Sequence, residues 1–130
     1  GGKKTPAVGF AFGIERIIML MKAQNINITQ SETLLYIAAL DDVYLIECIK
    51  VAESLRNEGH AAICPYVKRD LSAHIKHATK LNASHILFYG DDEADKQTIT
   101  VKHLRTRKQC AIKQAELLPF FQEEATLSHV

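Results

Sequence analysis

No run of about 18 apolar residues occurs in this 130-residue chain, so the sequence contains no candidate membrane-spanning helix. Nor does it carry the basic-then-apolar pattern of a signal peptide. Neither a membrane nor DNA is expected as a partner. Cysteine is scarce: Cys48, Cys64 and Cys110 form no C-x-x-C pair, and an odd number leaves one over in any disulfide scheme. A reducing, cytoplasmic compartment is the expectation. An excess of one charge is also missing, because the net charge is +1, and any nucleic-acid partner must be argued from local charge. Catalytic motifs are lacking too. There is no G-x-S-x-G turn to activate a nucleophile. His74 and His77 stand three apart with no third or fourth ligand at a suitable spacing, so no metal site is expected. The turn within IECIKV holds no glycine, which argues against a Rossmann or flavodoxin-like phosphate cradle.

What is present begins with the first sixteen residues, GGKKTPAVGFAFGIER. Gly9 and Gly13 flank a short apolar stretch that reads as a strand over Val8–Gly13, with backbone bare at two points where a flat ligand can approach. Ile14, Ile17, Ile18 and Met21 then recur at i, i+3, i+4 and i+7, the period of a helix with one buried stripe. Arg16 falls in its first turn, where a guanidinium beside free N–H groups can hold phosphate oxygens. The chain starts with Gly-Gly rather than methionine and is expected to be a piece of something longer.

Lys22 to Ser31 is polar and aperiodic, and reads as a linker. Beyond it, short apolar runs alternate with helical periods, the pattern of an α/β domain, and the 47% hydrophobic and 24% charged residues of the whole chain are those of an ordinary globular protein. Residues 34–40 are either a strand or a connecting segment, and VYLI at 43–46 reads as the better strand. Cys48, Val51, Ala52 and Leu55 predict a helix that Gly59 stops. His60 to Val67 predicts a strand with Pro65 at its end or edge, and Leu71, Ile75, Ala78 and Leu81 predict a helix opened by Asp70 and closed at Asn82. SHILFY at 84–89 is a third strand. DDEADKQ then joins it to Thr98–Leu104 with no helix between, and a hairpin turn near 105–108 leads to a return strand near 109–113. A last helix starts near Ala115, with Pro119 in its early turns.

The glycine-bounded stretch followed by Glu15-Arg16 resembles motif 3 of the class II aminoacyl-tRNA synthetases, and GG followed by TPAVGFAFGIER is similar to histidyl-tRNA synthetases in particular. The β-α-β-α-β-β-β-α order resembles the anticodon-binding domain that follows motif 3 in the histidyl, prolyl, threonyl and glycyl enzymes. SLRNEGH, KHATKLNASHILFYGDDE and ITVKHL carry that likeness, which with motif 3 covers nearly all of the chain. Asn82 stands where the family often has glycine, and Asp95 and Lys96 vary a typical turn. The resemblance implies an α/β fold: a mixed five-stranded sheet with flanking helices, preceded by a strand-helix remnant of a catalytic domain. It implies three parts, a motif 3 remnant over 1–22, a connecting segment over 23–40 and an anticodon-binding domain over 41–130. It also implies that Gly9, Gly13, Glu15 and Arg16 belong to a nucleotide site, with Arg16 on the terminal phosphates of ATP as the catalytic residue. ATP and Mg2+ serve the complete enzyme, and this fragment alone is expected to bind neither.

Between Lys96 and Lys113 lie six basic residues, Lys96, Lys102, Arg105, Arg107, Lys108 and Lys113, and no acidic one. Directly before them come Asp91, Asp92, Glu93 and Asp95. Cations on a sheet edge can hold phosphates, and a carboxylate can accept both donors of a guanine. The same cations could instead be a solvated face that keeps an edge from aggregating. Lys102, Arg105, Arg107 and Lys108 are the candidate phosphate contacts. Glu93, matching the family motif, is the candidate base reader. Tyr66, Phe88 and Tyr89 could stack on bases or fill the core.

The expected function is recognition of the histidine tRNA anticodon loop, as the C-terminal part of a homodimeric enzyme that activates histidine with ATP. Without its catalytic domain the fragment should not aminoacylate. Two other classes stay open: a noncatalytic synthetase paralogue such as the regulatory subunit of ATP phosphoribosyltransferase, and a free-standing RNA-binding module. The intact GIER and the basic ribbon favour a synthetase, and the absent initiator methionine speaks against a free-standing module.

Overall fold

The computed structural model describes residues 2–26, 33–67 and 69–127, the last four of these by backbone alone. The chain forms two compact units, Gly1–Gln30 and Ser31–Val130.

In the first unit a helix, α1, spans Ile14–Ala23, with Glu15 in its first turn and Lys22 in its last. Among the described residues of this unit nothing covers the apolar stripe: Ile14, Ile17 and Ile18 are exposed. The strand expected over Val8–Gly13 is not formed. A single extended segment has no ladder partner for its N–H and C=O groups, and no other strand of this unit is present among the described residues to supply one. The first two residues of the polar linker expected over 22–31 belong to α1, and its residues 27–31 lie outside the described residues.

The second unit is built on β1 (Leu34–Ala39), α2 (Leu45–Asn57), β2 (Ala61–Ile63), α3 (Leu71–Lys80), β3 (His85–Tyr89), α4 (Asp91–Lys96), β4 (Thr98–His103), β5 (Gln109–Lys113) and α5 (Leu117–Leu127). The five strands form one mixed sheet in the order β2-β1-β3-β4-β5. β1 pairs in parallel with β2 and β3, whereas β3–β4 and β4–β5 are antiparallel. The parallel pairs need helical crossovers and the antiparallel ones only short turns, which is why α2 and α3 sit where they do.

Alternate residues sort onto two faces. Leu35, Ile37, Leu87, Ile99 and Val101 meet Cys48, Ala52 and Leu55 of α2 and Leu117 and Phe121 of α5. Tyr36, Ala38, Ile86 and Phe88 meet Ala78 and Ile75 of α3 on the other side. The Tyr36 hydroxyl lies 3.0 Å from Nδ1 of His74 and 3.1 Å from Nδ1 of His77. With one proton, it donates to one ring and accepts from the other. Among the described residues no three His, Cys, Asp or Glu side chains gather into a metal-holding group.

Two expectations need correction. VYLI at 43–46 is not a strand: Asp41 accepts from the Val43 amide at 3.2 Å, a 3-10 turn covers Asp42–Tyr44, and α2 begins at Leu45. The strand is instead β1, which takes residues 34–39 out of the expected connecting segment; its four middle residues are buried, so its sequence is a continuous apolar run rather than an alternation. DDEADKQ does contain a helix, α4, with three carboxylates at its positive N-terminal end. Six residues with one alanine show no apolar period, so pattern alone misses it. The remaining helices and strands lie within a few residues of their expected places, and Gly59 and Asn82 take the positive φ values of 88° and 54° that end α2 and α3.

His85 sets a pH dependence. Burial, with a smaller contribution from neighbouring His103, pushes its pKa down to about 4, against about 6.5 when unfolded. The native ring stays neutral while the unfolded one gains a proton, so its contribution to stability is complete above about pH 6.5 and lost as pH falls toward 4. The loss amounts to roughly 3 kcal/mol. Urea unfolding at pH 7 and pH 4.5 should therefore show a smaller fall for His85→Gln than for the natural chain. Equal falls would contradict it.

Candidate nucleic-acid interface

α4 ends the parallel half of the sheet and starts the antiparallel half. Its Glu93 is half-buried: Oε2 accepts from the Gly90 amide at 3.1 Å, and Oε1 accepts from the Thr100 hydroxyl at 2.6 Å. One carboxylate thus fixes both the start of α4 and the middle of β4. A Cβ placed on Gly90 would stand 3.0 Å from Leu40 Cδ1 and 3.3 Å from Leu40 Cβ, so a larger residue here requires Leu40 to give way by a few tenths of an ångström. On the other flank, Tyr44 donates to Asp91 at 2.5 Å, and that bond raises the phenol to about 12.

Thr98, Thr100 and Lys102 share one face of β4 with their β5 partners Lys113, Ala111 and Gln109. α3 covers this face only over β1 and β3. On β5 the three residues are exposed, and Lys102, opposite Ile86, is half-buried. Past His103 the chain turns, and Arg105, Arg107 and Lys108 are all exposed. The turn is held from inside. Nδ1 of His103 accepts from the Arg105 and Thr106 amides at 3.2 and 3.3 Å, and the His103 carbonyl accepts from the Arg107 amide at 2.9 Å. Arg107 takes a positive φ of 61° to close it.

Two ion pairs occur among the described residues, Lys50–Glu47 and Arg56–Glu53, both within α2. Neither involves the hairpin, so no carboxylate of the described residues neutralises its cations. The structure therefore brings Glu93 and Lys102 onto one open face through Thr100, with Arg105, Arg107 and Lys108 at its end. Of the aromatic residues, Tyr66 is exposed while Phe88 and Tyr89 are in the core. Thr100 and His103 were not singled out in the sequence. Their only signal was position: a threonine on the polar face of a strand and a histidine just ahead of R-T-R-K.

The nucleotide-site candidates lie in the first unit. Gly13 precedes α1 and accepts from the Ile17 amide at 3.2 Å; Glu15 and Arg16 follow in the first turn. Side chains at Gly9 would meet nothing within 4 Å. Arg16 is exposed and, with Met19, Leu20 and Ala23, lines a shallow depression. An exposed guanidinium at the start of a ten-residue helix suits a phosphate, and the described residues of this unit line only one side of it.

Residues 30–124 match the family model described as anticodon binding domain. The chain belongs to this family. It is 34% identical over 95% of its length to a histidine–tRNA ligase of Oceanobacillus iheyensis, and 43% identical over 83% to one of Lactococcus lactis subsp. cremoris. It spans 29% and 25% of those proteins. The structure of apo S. aureus histidyl-tRNA synthetase superposes with a TM-score of 0.64 at 28% identity, over 83% of this chain and 32% of that one. As an anticodon binding domain the chain has a mixed five-stranded sheet, and the hairpin β4–β5 carries cations that no described carboxylate pairs.

The Glu93–Thr100 link is measurable. A double-mutant cycle of Glu93→Ala and Thr100→Val, read by urea unfolding, should give a coupling of about 1 kcal/mol. Additive losses would mean that the bond does not hold α4 to β4.

Proposed function

We propose that this chain is the anticodon-recognition part of a histidine–tRNA ligase and holds the anticodon loop of histidine tRNA on the open face and turn of β4–β5. The observation that carries the proposal is the hairpin itself: Lys102, Arg105, Arg107 and Lys108 on one ribbon, with no acidic residue among them and no ion pair to them among the described residues. Phosphates of a single-stranded loop lie on these cations and fix its register. Glu93, whose carboxylate is oriented by Gly90 and Thr100, accepts the two Watson–Crick donors of a guanine. The relatives named histidine–tRNA ligase, at 34% and 43% identity, support the choice of tRNA.

In the complete protein the first unit joins a catalytic domain, and Arg16 holds phosphate oxygens of ATP there beside the backbone bared by Gly9 and Gly13, with Glu15 in the same turn. ATP, with Mg2+, supplies the activated phosphoanhydride for histidine. The complete enzyme is a cytoplasmic homodimer, and this portion alone does not aminoacylate.

Binding of an RNA hairpin with the histidine anticodon loop tests the reading. The logarithm of affinity should fall with log salt by about 0.7 per phosphate contact, so Arg105→Ala, Arg107→Ala and Lys108→Ala together should flatten the slope by roughly 2. Glu93→Gln, which turns one acceptor into a donor, should cut discrimination against a scrambled anticodon by about tenfold. Equal affinity of the natural chain for both loops would contradict anticodon recognition.

A further inference from the structure

On the opposite face of the sheet from Glu93, a cleft of about 480 Å3 lies between the β4–β5 turn and Phe120 in the first turn of α5. Its walls include His85, Val101, His103, Cys110 and Phe120, with Lys108 at the turn. The strand register puts these groups together. His85 faces His103 across β3–β4, and Val101 faces Cys110 across β4–β5. The two imidazoles meet at 4.6 Å between centroids and 66° between planes.

The chemistry of the cleft narrows what it can take. His85 is 5% exposed, and burial keeps it neutral near pH 7. His103 accepts two backbone N–H groups at Nδ1, so its neutral ring carries the proton on Nε2 and can donate. Val101, Phe120 and Cys110 are apolar or soft. Among the described residues no carboxylate lines the space, and the cation there is Lys108. Charged groups would lose hydration against these walls without a partner, whereas a flat, uncharged ring with an acceptor edge can stack and accept from His103. A volume of this size is within the range of small-molecule pockets. Lys108 also belongs to the basic turn, so a strand crossing the turn passes the mouth of the cleft with its phosphates.

We propose that this cleft receives one unstacked, uncharged nucleobase from the RNA loop held by the hairpin, with a phosphate of that strand on Lys108. It rests on the RNA-binding function proposed above and adds a second base site, on the other side of the sheet from Glu93. The turn Arg105–Lys108 is the rim common to both faces, so the loop is splayed across it rather than laid on one surface.

Cys110 reports directly on occupancy. It is exposed, while Cys48 and Cys64 are buried, and burial raises both of their thiols, that of Cys48 to about 12. Alkylation of the full chain by iodoacetamide, followed by intact mass, therefore reads Cys110 first. The probes are an RNA hairpin with the histidine anticodon loop and a series in which each loop nucleotide in turn is abasic. The intact hairpin should slow alkylation about tenfold at saturation, and one abasic position should abolish the protection while the others keep it. Cys110→Phe, which fills the cleft from an exposed strand position, should weaken the intact hairpin about tenfold and leave that one abasic hairpin unaffected. If RNA binds with its salt dependence yet Cys110 reacts at the free rate, or every abasic hairpin protects equally, the cleft is no base site and the hairpin interface stands. If no hairpin binds, both proposals fall.

Discussion

β3 has to bury five consecutive side chains, His85 to Tyr89, and it is the middle strand of five. Two sides must therefore be covered at once. Ile86 and Phe88 face α3, and Leu87 and Tyr89 face α2 and α5. Each fully buried Ile, Leu or Phe contributes about 1.5–3 kcal/mol relative to exposure, so this one strand commits helices to both faces. Everything to its β1 side is parallel and roofed by crossover helices. Beyond it the pairing reverses, and the chain has no crossover helix left to lay over the second face.

That reversal leaves one face of β4–β5 open. α5 returns to the face of Ile99 and Val101, and the face of Thr98, Thr100 and Lys102 stays open next to α4. A short helix with its acidic start anchored by Glu93 ends the apolar layer abruptly. The same carboxylate that holds α4 on β4 thereby stands beside the basic ribbon, and its orientation is fixed before any ligand arrives. The turn is ordered by the same logic, since His103 ties down two amides and leaves the guanidinium groups outward. Local stability and presentation of charge are here one set of hydrogen bonds.

The sequence told most where its periods were long. Cys48–Leu55 and Leu71–Leu81 announced α2 and α3, and ITVKHL announced β4 with Ile99 and Val101 inward. It told least where length or context decides. β1 is a short apolar run that only a central strand explains; α4 is too short to show a period; Val8–Gly13 has strand composition but no neighbour to pair with. The basic ribbon was legible as a charge pattern, and so was the acidic patch before it. What no pattern could give was that Thr100 aims Glu93, that His103 braces the turn, or that His85 and Cys110 line one cleft, because these placements follow from register.

The central claim is that RNA lies over the β4–β5 hairpin rather than over the helices. Amide hydrogen exchange of the full chain, with and without a histidine-anticodon hairpin, locates the contact directly. Added protection confined to residues 91–113 is the result this account requires. Protection centred on α2 or α3 instead, with the hairpin unchanged, would contradict it.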